Sequence, residues 1–120
     1  MTLTDDEILA LAEKGWNELG ITPTPWYFFD DKNRSGCLTG TVQFVLQAET
    51  NEFDAWAIGS RELLEILGRT DLWSSGVTCG FSGFGNHADS KHPDFIAGFA
   101  LGRRGYEKYG HRFPRVKAVT

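Results

Sequence analysis

Residues 76–110 read GVTCGFSGFGNHADSKHPDFIAGFALGRRGYEKYG, and the fold turns on what this stretch packs against. Eight of the chain's 14 glycines lie at or beyond residue 76, interleaved with aromatic side chains. Glycine forgoes side-chain packing and loses the most backbone entropy on folding, so such density requires close backbone approach, unusual dihedrals or a loop. The second half reads as a helix that starts near Pro93, a residue tolerated in a first turn, and runs to about Tyr109 before Gly110. On it Gly98, Gly102 and Gly105 stand at i, i+4 and i+7, which strips one face of side chains. Such a face predicts a second helix or strand of the same domain lying backbone to backbone upon it, with a ligand or partner site as the alternative. Phe95, Phe99 and Tyr106 occupy the neighbouring stripe and read as core. The Gly-x-x-x-Gly spacing carries no membrane meaning, because charges interrupt it and the longest apolar runs fall far short of the roughly twenty residues of a span.

Working outward, Thr4 and Glu7 form a capping box, and Ile8, Leu11, Ala12, Trp16 and Leu19 recur at helical spacing until Gly20. Asp5, Asp6 and Glu7 suit the positive end of that helix. Thr22-Pro23-Thr24-Pro25 prevents continuation, so Trp26 to Phe29 reads as a short extended segment before the polar turn Asp30 to Gly36. Residues 37–47 fit two patterns. Leu38, Val42, Phe44 and Leu46 alternate as a strand would, with Gly40 as a gap, whereas Leu38, Val42, Val45 and Leu46 make one helical stripe. Ser60 caps a short helix, Arg61 to Leu67, that buries Leu63, Leu64 and Leu67 and stops at Gly68. The expected fold is a single α+β domain over residues 1–120, helix-dominated, with three to four helices and a short strand or hairpin near residues 26–46.

The chain has 120 residues, 41% apolar and 23% charged, enough to form a core without staples. Its acidic start, Met1 to Glu7, lacks the basic and apolar regions of a signal peptide, and Cys37 and Cys79 are too few for a disulfide scaffold; both point to a cytoplasmic protein with free thiols. Net charge is −4 and unevenly spread: residues 1–100 hold fifteen acids and six bases, residues 101–120 six bases and only Glu107. Bases at a helix end complement its dipole and the acidic remainder, so this asymmetry does not by itself demand an anionic partner.

Chemistry-bearing groups concentrate between the glycines. His87-x-Asp89-x-x-His92-x-Asp94 puts four donors suited to zinc, iron or manganese within eight residues, although the spacing matches no established zinc signature, and Asp89 or Ser90 also serves as a helix cap. No cofactor is therefore the first expectation, with a divalent metal as the alternative. Adding His111 gives the ligand types of a two-histidine, one-carboxylate iron site, but the sheet-rich barrel that carries such sites has no counterpart here. Cys37 would gain nucleophilicity if Gly36-Cys37-Leu38 opens a helix, and His87 or His92 with Asp89 or Asp94 would complete a thiol enzyme; an inert buried thiol is the commoner case. Gly80-x-x-Gly83-x-Gly85 lacks the order of a nucleotide-binding loop. Its Phe81 and Phe84 read as anchors of an irregular loop, or as a protein-binding surface if exposed. Arg103, Arg104, Lys108, Arg112, Arg115 and Lys117 alternate with Tyr106, Tyr109 and Phe113 as a nucleic-acid surface would.

Glu7 to Trp16, the turn Gly36-Cys37-Leu38-x-Gly40 and the closing segment from Gly80-Phe81-Ser82-Gly83 to Gly98-x-x-x-Gly102 resemble small bacterial domains that join a Gly-Trp helix through a Cys-Leu-x-Gly turn to an alanine-rich helix. Thr41 and Val42 depart from that pattern, and the resemblance implies no activity. The functional expectation is a protein-interaction module, an inhibitor or adaptor of a larger nucleic-acid-binding complex, with Phe81, Phe84, Arg103, Arg104 and Tyr106 as contact residues. Two alternatives stay open: an enzyme using Cys37 and His87 or a metal at His87, Asp89, His92 and Asp94, and nucleic-acid binding through the basic tail.

Overall fold

A computed structural model describes residues 3–25, 28–30, 32–50, 60–83 and 91–114. They form an α+β fold dominated by helices: α1 (Asp5–Glu18), β1 (Thr22–Pro23), β2 (Phe29–Asp30), β3 (Ser35–Gly36), α2 (Leu38–Thr50), α3 (Ser60–Leu67), α4 (Asp71–Phe81) and α5 (Pro93–Tyr109), with a 3₁₀ turn at Gly110–Arg112. The described helices thus number five rather than three to four, and α4 is the one that sequence periodicity did not reveal. No helix among the described residues is long and apolar enough to cross a membrane.

The capping box of α1 is present in both directions, with Glu7 N–H donating to Thr4 Oγ1 at 3.1 Å and Thr4 N–H to Glu7 Oε1 at 3.0 Å. Its buried face is Ile8, Leu9, Ala12, Gly15 and Trp16. After it Gly20 adopts φ +72°, which lets Ile21 N–H turn back to the Gly15 carbonyl at 3.1 Å. The chain then makes a three-stranded sheet of order β1-β3-β2, in which β1 runs parallel to β3 and β2 antiparallel to it. The Asp30 carboxylate holds the β2–β3 turn by accepting Lys32 N–H, Asn33 N–H and Asn33 Nδ2–H.

Residues 38–47 are helical, so the alternating-strand reading falls. Leu38, Val42, Val45 and Leu46 are the buried stripe of α2, while Phe44 stands half-buried beside Phe29 with ring centroids 4.8 Å apart. Gly40 is not a gap in a strand: a Cβ there would run into the Phe28 carbonyl. α2 begins next to the C-terminal end of α1, where Trp16 Nε1–H reaches the Gly36 carbonyl at 3.4 Å and Gly15 meets Thr41 and Val45.

α4 and α5 decide the rest. A Cβ on Gly76 would strike the backbone of Phe95 and Phe99, and one on Gly80 the backbone of Phe99 and Arg103. Reciprocally, Gly98 meets the Trp73 carbonyl and Gly102 the Val77 carbonyl. Contacts advance in the same direction along both helices, so they lie parallel, each inserting a Gly-x-x-x-Gly row into the other. The stripped face of the last helix therefore receives a backbone at Gly98 and Gly102, while at Gly105 it meets the Phe81 and Leu38 side chains. The buried residues of α1 to α5 close one core around Trp16, Phe81, Leu101 and Val77.

Candidate functional site

α1 joins this parallel arrangement through its polar face. Asp6 pairs with Arg104 at 2.7 Å, Glu13 with Lys108 at 2.7 Å, and Asn17 Nδ2–H donates to Tyr109 Oη at 3.0 Å, advancing together along both helices. The N-terminal ends of α1, α4 and α5 thus share one end of the molecule. Three positive dipole ends side by side repel, and the first turns answer with Asp5, Asp6, Glu7, Asp71 and Asp94. Between these ends opens a cleft of about 460 Å³ lined by Asp5, Arg69, Thr70, Trp73 and Asp94. Arg69, Asp5, Thr70 and Asp94 there bond within the chain. Arg69 donates to the Leu3 carbonyl at 2.7 Å, Asp5 Oδ1 at 3.0 Å and the Leu67 carbonyl at 3.3 Å, and lies over the Trp73 ring. Thr70 accepts Trp73 N–H as the cap of α4 and donates its own hydroxyl to Asp94 at 2.8 Å.

His92 and Asp94, half of the candidate metal set, stand at the same end. Asp94 N–H donates to His92 Nδ1 at 3.1 Å, which makes His92 the cap of α5 in place of Asp89 or Ser90. His87, Asp89 and Phe84 lie outside the described residues; among those described, no three His, Cys, Asp or Glu side chains gather to hold a metal. Cys37 does open α2, its sulfur accepting Gly40 N–H at 3.5 Å and sharing a hydrogen with Thr39 Oγ1 at 3.4 Å. Burial nevertheless pushes the thiol up, against the downward pull of those hydrogen bonds. The adjoining Leu38 packs at Gly105, twelve residues along α5 from Pro93, so roughly 18 Å of helix separates it from His92. The structure does not bring that thiol and that histidine together.

The interaction candidates divide. Phe81 is 1% exposed, stacked on Trp16 at 5.3 Å with Phe113 edge-on at 4.9 Å, so it is core and leaves the candidate surface. Arg104 is held by Asp6. Arg103 pairs with Glu107 at 3.5 Å and lies over the half-buried Tyr106 ring, against which Gly83 rests. The remaining described bases of the tail are also engaged: Lys108 by Glu13, and Arg112 by Asn17 Oδ1 at 2.7 Å and the Trp16 carbonyl at 3.0 Å. Arg115 and Lys117 lie outside the described residues.

No family model, curated protein or solved structure matches this chain.

The remaining surface feature is the outer flank of the α4–α5 pair. Leu72 and Ile96 are 42% and 55% exposed, the large apolar side chains most open to solvent among the described residues. Ile96, Phe99, Arg103 and Tyr106 share one side of α5 at i, i+3, i+7 and i+10, and Leu72 precedes Gly76 by four residues on the α4 edge that meets Phe95 and Phe99. Arg103 and Tyr106 were legible as candidates. Leu72 was not, because its placement depends on α4 being a helix, and Ile96 was passed over although it stands opposite the glycine face of α5; Thr70-Asp71 followed by Trp73, Val77 and Phe81 at four-residue steps is the signal that would have found α4.

Proposed function

We propose that the protein is a binding module that recognises a protein partner through the outer flank of α4 and α5. The observation that carries this reading is the exposure of two aliphatic side chains, Leu72 and Ile96, on a helix pair whose α5 carries half-buried Phe99, Arg103 and Tyr106 along the same side as Ile96. An apolar centre with aromatic and arginine neighbours is the composition that interface anchors favour. Two further facts support binding over catalysis: the Cys37 thiol is pushed up rather than activated, and in the cleft Arg69 pairs with Asp5 while Asp94 accepts from Thr70. A partner that itself binds nucleic acid stays part of the proposal; the described bases of this chain's tail are engaged by groups of the same chain and are not assigned that contact. Cytoplasmic residence suits the two unpaired cysteines.

Affinity capture with the wild-type chain and with a Leu72→Asp/Ile96→Asp double variant tests the reading, after circular dichroism and thermal melting confirm that both fold alike. Two charges placed on an interface centre weaken binding by about tenfold or more. Partners kept by the wild type and lost by the variant support the flank. An unchanged set of captured proteins refutes it.

A further inference from the structure

We draw no further inference here: the strongest candidate, the cleft of about 460 Å³ where the N-terminal ends of α1, α4 and α5 meet, carries nothing because Arg69 is spent on Asp5 and Thr70 on Asp94, and the orphaned Trp73 indole N–H beside it is sealed from solvent rather than open to a ligand.

Discussion

Single glycines set the distance between α4 and α5, and their tolerance to substitution separates packing from dihedral effects. Gly76→Ala drives a methyl into the Phe95 carbonyl, and Gly98→Ala drives one into the Trp73 carbonyl; backbone on both sides cannot yield without parting the helices. Each change is expected to cost about 3 kcal/mol or more in urea unfolding, at the upper end of overpacking losses. Gly20→Ala meets open space and violates only the φ of +72°, so its expected cost is about 1–2 kcal/mol. Equal losses at positions 20 and 76 would mean that the backbone contact is looser than drawn. Cys37 gives a second check at this scale: with its thiol raised by burial, iodoacetamide at neutral pH should label it more slowly than a thiol in the urea-unfolded chain. Rapid labelling of the folded protein would restore the nucleophile reading.

Between elements, polar clasps align α1 with α5 and tie both to α4. At Glu13 burial raises the carboxyl, but hydrogen bonds from Lys108 and Tyr109 outweigh it and leave the group below its usual value. A depressed carboxylate contributes stability above its unfolded pKa and loses it as pH falls through the folded one. The wild type should therefore exceed Glu13→Gln in stability at pH 6–7, with the gap closing below about pH 4.5. A gap constant from pH 7 to 3, measured by denaturant titration, would show that Glu13 acts through packing alone. Arg69 joins the other elements: it reaches Leu3 and Asp5 of the α1 end, Leu67 of α3 and the Trp73 ring of α4. Arg69→Ala should lower stability by about 1–3 kcal/mol through lost hydrogen bonds to a charged group. Arg69→Lys should recover little of it, because an ammonium cannot span those acceptors as a planar fork does.

For the whole molecule, the lopsided charge distribution follows from parallel helices. Acids gather where three N-terminal ends meet, and Arg112 and Arg34 donate to the Trp16 and Leu19 carbonyls at the far end of α1. The described tail bases are thereby engaged within the chain, so we expect no salt-dependent shift of single-stranded RNA or duplex DNA at 150 mM salt. A shift that weakens with salt, and that disappears when residues 110–120 are removed, would reinstate the nucleic-acid reading.

The sequence by itself determined α1, α3 and α5, whose stops and apolar stripes act within one or two turns, and it pointed to a bare face of α5 against another backbone, although it put the cap of α5 at Asp89 or Ser90 instead of His92. It left residues 37–47 between strand and helix because two apolar periods coexist there, and it hid α4 because Gly76 and Gly80 look like loop formers when read alone. Tertiary structure decided both. Gly40 is helical because the Phe28 carbonyl takes the place of its side chain, and Gly76 and Gly80 are helical because Gly98 and Gly102 oppose them. Hydrogen-bonded turns and caps are local and can be read along a chain, whereas helices low in intrinsic propensity are held by contacts with residues far away in sequence. Where Leu72 stands relative to α5 is likewise set by that pairing.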